Sequence, residues 1–76
     1  MFTIQLYDNG SGNQIGSTHA TVNSARTEAK EIISSIANEK TSIGVFTYTS
    51  QARIELCDVN GDTLETFYAK DFRNEE

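Results

Sequence analysis

Few residues in this chain could do chemistry. His19 and Cys57 are its only histidine and its only cysteine. A thiol beside an imidazole can serve as nucleophile and base, provided that neighbouring strands bring the two together. Two such ligands fall short of the four of a structural zinc site, and no carboxylate stands at a spacing that would complete one. Without a helix terminus or cationic neighbour to favour the thiolate, Cys57 is expected to pack as a small apolar residue. His19, in a polar stretch, is expected on an exposed strand. The sequence therefore names no catalytic residue, metal ligand or cofactor site, and the chain is expected to be non-enzymatic.

Two further motifs look chemical until their spacing is checked. Asp58-Val59-Asn60-Gly61-Asp62 has the Asp-x-Asn-x-Asp opening of a calcium loop. Such a loop needs glycine at its sixth position and a carboxylate at its twelfth, where this chain has Thr63 and Ala69. The segment is expected to be a plain hairpin turn. Gly10-Ser11-Gly12 with Gly16 fits neither the dinucleotide nor the P-loop spacing, and Asn9-Gly10 accounts for the cluster as a second hairpin signal.

The aromatic residues raise another chemistry. Tyr7, Phe46, Tyr48, Phe67 and Tyr68 fall on strand-like segments, and exposed aromatics on a sheet can stack bases. Platforms of that kind interleave lysine and arginine, whereas the strands carrying these aromatics supply only Lys70. Packing on a helix and pairing across strands are the expected roles, with no direct contact to nucleic acid.

These residues must be held by a helix and a sheet. Ala25, Ala29, Ile32, Ile33 and Ile36 recur at the spacing of one helical face, which predicts a helix over residues 23–40 capped by Asn23 or Ser24. It is the only helix the pattern supports, and its apolar stripe needs a sheet to cover it. Strand patterns are predicted over residues 2–7, 14–22, 43–49, 52–57 and 63–69, and Phe72 is expected to fold back onto the core. Residues 74–76 are expected to fray. The fold class is α+β, one domain over residues 1–76 in the order ββαβββ, with an antiparallel sheet of about five strands and the helix on one face. Alternation on the fourth strand sets Glu55 and Cys57 on the face opposite Ile54 and Leu56.

Charge is distributed unevenly. The net charge of −5 at pH 7 arises wholly after residue 53, where Glu55, Asp58, Asp62, Glu65, Asp71, Glu75 and Glu76 face only Lys70 and Arg73. An acidic surface repels a phosphate backbone and suits a basic partner. Glu55, Asp58, Asp62, Glu65 and Asp71 are the expected partner-binding acids, with Tyr68 as an aromatic anchor among them. The other reading is a solubilising face on a structural or self-associating module. A domain of 76 residues has a thin core, and with one cysteine it has no disulfide to support it, which favours self-association into a homodimer or a tight partner. Met1 leads directly into a strand pattern without a signal-peptide pattern or a membrane-spanning run, so a small complete chain in the cytoplasm is expected.

In size, charge and element order the chain resembles the small phage-encoded anti-CRISPR inhibitors. The features concerned are the helix around Glu28-Ala29-Lys30-Glu31-Ile32-Ile33 and a terminal hairpin at Val59-Asn60-Gly61-Asp62. That group shares no diagnostic motif, and the resemblance assigns no residue a role. It implies a host-cytoplasmic protein that occupies the basic, nucleic-acid-binding site of a bacterial defence complex.

Overall fold

The computed structural model describes residues 1–74 and has the α+β architecture that the pattern predicts. Strands β1 (Thr3–Asp8), β2 (Ser11–Gln14), β3 (Arg53–Cys57) and β4 (Thr63–Tyr68) form one antiparallel sheet in the order β2-β1-β3-β4. Helix α1 (Val22–Ala37) crosses one face, and a single 3-10 turn (Ala69–Asp71) follows β4.

Asn9 and Gly10 both adopt positive φ, 53° and 83°, so two residues suffice to turn the first hairpin. Asp8 therefore already faces Ser11, and β2 begins three residues before the predicted returning strand. Of residues 14–22, Gln14 ends β2, Ile15 donates its N–H to the Ile4 carbonyl at 2.9 Å, and His19 rejoins the sheet by exchanging two backbone hydrogen bonds with Phe2 at 2.7 and 2.9 Å.

The helix starts one residue earlier and ends three residues earlier than the apolar spacing implies. Its cap is Thr21, whose Oγ1 accepts the Ser24 N–H, rather than Asn23 or Ser24. Asn38 closes the other end by donating from Nδ2 to the Ser34 and Phe72 carbonyls. Its Oδ1 also accepts the Asn74 N–H, which ties down a residue expected to fray; residues 75–76 of that segment lie outside the described residues.

The segment over residues 43–49, β-branched and aromatic, is not a strand of the sheet. It folds back on itself through Thr41 N–H to the Val45 carbonyl and an isolated bridge between Lys40 and Phe46. Local pairing there overrides strand propensity. The tip, with Ile43 82% exposed, projects from the body. Phe46 is held between two cations, the Lys40 ammonium at 4.8 Å and the Arg73 guanidinium at 3.9 Å from the ring centre.

The core lies between α1 and the sheet. Ala29, Ile33 and Ala37 of the helix pack on Ile4, Ile54, Ala52 and Ala69, and Leu6, Ile36 and Phe67 close the margins. The innermost helical residues are mostly alanines, so the helix sits close to the sheet while Ile32 and Ile36 lie at its flanks. Phe72 does return to the core and meets Phe67 edge to face at 6.1 Å.

Candidate interaction surface

The second hairpin carries most of the predicted site. Val59, Asn60 and Gly61 form its loop, in which Gly61 has φ 87°. The Gly61 N–H reaches the Asp58 carbonyl at 3.0 Å, and the Asp58 N–H reaches the Asp62 carbonyl at 3.0 Å. The Asp58 carboxylate accepts the N–H groups of Asn60 and Asp62 at 2.9 and 3.0 Å. The Asp-x-Asn-x-Asp motif is thus a hairpin turn whose first aspartate organises its own backbone. Val59 stands at the tip, 76% exposed.

The five predicted acids do not form one surface. Glu55 lies on the face away from the helix, as alternation requires, and is held there by Arg53 Nε at 2.8 Å and the Thr63 hydroxyl at 2.9 Å. Its carboxyl is shifted below the usual range, first by the hydrogen bond from Arg53. Glu65 sits on the opposite, helix-covered face, where the Arg26 guanidinium grips it through Nε at 2.7 Å and also through Nη2. That hydrogen bond lowers the Glu65 pKa and raises that of Arg26. Asp58 and Asp62 occupy the hairpin turn, and Asp71 lies in the 3-10 turn after β4. The ion pairs among the described residues join His19–Glu28, Arg26–Glu65 and Arg53–Glu55, which leaves Asp58, Asp62 and Asp71 outside them.

Tyr68 is exposed on the open face of the sheet, in a cross-strand row with Arg53 and Tyr7. The Arg53 guanidinium lies 4.5 Å from the centre of the Tyr7 ring. On its other side Tyr7 covers Gly12, where any Cβ would run into the ring. The sequence reading missed this cation between two tyrosines because Arg53 belongs to a strand without aromatics of its own. Only the pairing register reveals the row. The pairing of Arg53 with Glu55 already neutralises its charge there.

A second constellation was also invisible in the sequence. His19 Nε2 lies 2.6 Å from Glu28 Oε1, and His19 Nδ1 lies 2.5 Å from Ser24 Oγ. Hydroxyl, imidazole and carboxylate in a line are the elements of an activated serine. The same Glu28 oxygen also accepts the Ser17 N–H at 2.9 Å, so the group fastens the connection before α1 to the first turns of the helix. The bond from His19, and then that from Ser17, lowers the Glu28 pKa. His19 is accordingly half-buried and bonded rather than a free strand residue. Cys57 is buried on β3, where desolvation pushes its thiol pKa up, away from the reactive thiolate.

The edge of β4 completes the surface. Ala69 N–H bonds to the Ala52 carbonyl at 2.8 Å, which sets the phase of the β3–β4 ladder. By alternation Phe67 and Glu65 turn their backbone groups towards β3, while Thr66 and Tyr68 turn theirs outward. Among the described residues no strand lies beyond β4 in the sheet. The register slips between Leu56 and Cys57, so that Thr63 rather than Leu64 faces Cys57, and Leu64 is left 46% exposed.

Comparison with protein-family models, curated proteins and solved structures finds no match. No helix among the described residues is long and apolar enough to cross a membrane.

Proposed function

We propose that this chain is a non-enzymatic binding protein that engages a basic surface on another macromolecule through the tip of its β3–β4 hairpin. The observation that carries the reading is the state of the tip. Asp58 and Asp62 lie outside the internal ion pairs, beside an exposed Val59, on a turn that Asp58 itself braces. Fixed acids around a small apolar contact complement a lysine- or arginine-rich surface with little ordering on binding. Tyr68, at the far end of the same strand, and Asp71, in the 3-10 turn after it, add an aromatic anchor and a charge. Glu55 and Glu65, already paired on opposite faces, hold the hairpin in place for the contact.

In its specific form, the protein occupies the site where a bacterial RNA-guided defence complex holds nucleic acid, in the cytoplasm of the host. The test is displacement of a labelled oligonucleotide from purified complexes of that class, at increasing salt. Displacement that fades with salt and is lost in Asp58→Lys/Asp62→Lys supports the reading. Displacement unchanged by those reversals removes the acidic tip from the contact.

A further inference from the structure

We infer that this chain forms a two-fold homodimer in which β4 pairs antiparallel with β4 of a second copy, joining two four-stranded sheets into one. The edge of β4 is open: at Thr66 both the N–H and the C=O face outward, and at Tyr68 the N–H does, its carbonyl capping the 3-10 turn that follows. Sheets commonly protect such an edge with proline, with charges pointing into the sheet or with lysines along the strand. The strand Thr-Leu-Glu-Thr-Phe-Tyr contains neither proline nor lysine, its one charge, Glu65, is neutralised by Arg26 on the helix side, and its one bulge, at Leu64, leaves Glu65–Tyr68 in regular register.

The chemistry of the edge selects a second copy as its occupant. An axis through Thr66 sets Thr66 against itself and Leu64, the exposed apolar residue at one end, against Tyr68 at the other. The outward backbone groups of Thr66 then bond to their own counterparts. The same register opposes Glu65 to Phe67, so no like charges meet across the axis. Charge along the edge is also polar in direction. Asp58 and Asp62 precede β4, whereas Lys70 follows it and leans over the Tyr68 ring, with its ammonium 5.8 Å from the ring centre. Antiparallel pairing therefore brings Lys70 of each copy towards the acidic turn of the other, with Asp71 as the following residue. The pairing sets the two hairpin tips at opposite ends of the joined strands, each beside Lys70 of the other copy, so Asp62 and Tyr68 are shared between the dimer and the tip's proposed partner while Thr66 belongs to the dimer alone.

Sedimentation equilibrium of the full chain, from low to high micromolar concentration, tests the inference. The expected mass is twice the 8.4 kDa of one chain, falling to one chain in Thr66→Pro, which removes only an outward N–H. Thr66→Lys, which sets two ammonium groups on the axis, is expected to do the same if the proline variant misfolds. Asp62→Lys should weaken the dimer and Asp62→Lys/Lys70→Asp should restore it. A wild-type mass of one chain at every concentration overturns the inference, as does a dimer that survives both Thr66 substitutions with its circular dichroism intact. Capture of some other strand by a monomeric β4 would appear as the first of these. Oligonucleotide displacement by Thr66→Pro separates this inference from the acidic-tip reading, since the variant leaves Asp58 and Asp62 untouched.

Discussion

The two hairpins of this sheet are built from the same signal and end in opposite ways. Each turns at Asn-Gly, each places one strand inside the sheet and one at an edge, and both rest on the same helix. The first turns in two residues and returns as Ser11–Gln14, a short, polar and exposed strand. Tyr7 lies over one face of its Gly12, and the strand ends after four residues, too short to offer a partner a full ladder. The second turns through three residues braced by Asp58 and returns as the six residues of β4, with exposed Leu64 and Tyr68. One edge is finished and the other is not. Sheet edges tend to pair unless something prevents it, so the difference locates the surface at which this molecule meets others.

Substitutions in each hairpin test the difference between them. The largest effect should come from the support that both hairpins share. Ile54→Ala, at a fully buried position of β3, is expected to cost about 2–5 kcal/mol in chemical denaturation and to unfold both hairpins together. Gly12→Val should cost about 1–3 kcal/mol, because its side chain must displace the Tyr7 ring. Separate loss of β2 amide protection in that variant would show that the short edge strand depends on this one contact. Asp58→Ala removes the acceptor of two backbone N–H groups and should cost about 1 kcal/mol in the same assay.

The ion pairs predict a dependence on pH. The carboxyls of Glu28, Glu55 and Glu65 have folded pKa values below their ordinary ones, owing first to hydrogen bonds from His19, Arg53 and Arg26 respectively. Such groups contribute stability that is present above their unfolded pKa and is lost as pH falls through the lowered folded value. Thermal unfolding followed from neutral to acidic pH should show a declining melting temperature, with a shallower decline in Glu65→Gln. An equal slope in that variant would mean that Arg26 and Glu65 do not couple β4 to the helix. The smallest effect on folding is expected of Leu64→Ser, within about 0.5 kcal/mol for the monomer, because Leu64 is 46% exposed and takes no part in the core.

Local signals in the sequence carried much of the fold. The alanine and isoleucine spacing located α1, and the two Asn-Gly pairs located both hairpins, because each depends on neighbours in the chain. Phe72 folds onto the core as its apolar character required. Residues 43–49 had equally good strand composition, but both places beside β3 went to β1 and β4, and the segment pairs locally instead, Thr41 with Val45 and Lys40 with Phe46. That outcome depends on strand order, which composition does not encode. The interaction surface was less legible for the same reason. Arg26 and Glu65 meet across 39 positions, and His19 meets Glu28 and Ser24 only because Phe2 holds the intervening chain against the sheet. The acidity of the last third was plain from residue types, whereas its division between two faces and a tip follows from the register of β3 with β4.

Amide hydrogen exchange by NMR at two protein concentrations tests the contrast between the edges most directly. Thr66 and Tyr68 carry the outward N–H groups of β4, and the β1–β2 register leaves those of Gly12 and Gln14 outward on the other edge. Raising the concentration should slow exchange at Thr66 and Tyr68 while Gly12 and Gln14 remain fast. Four amides that exchange alike at both concentrations would contradict the account, since β4 would then be no more open to a second strand than β2.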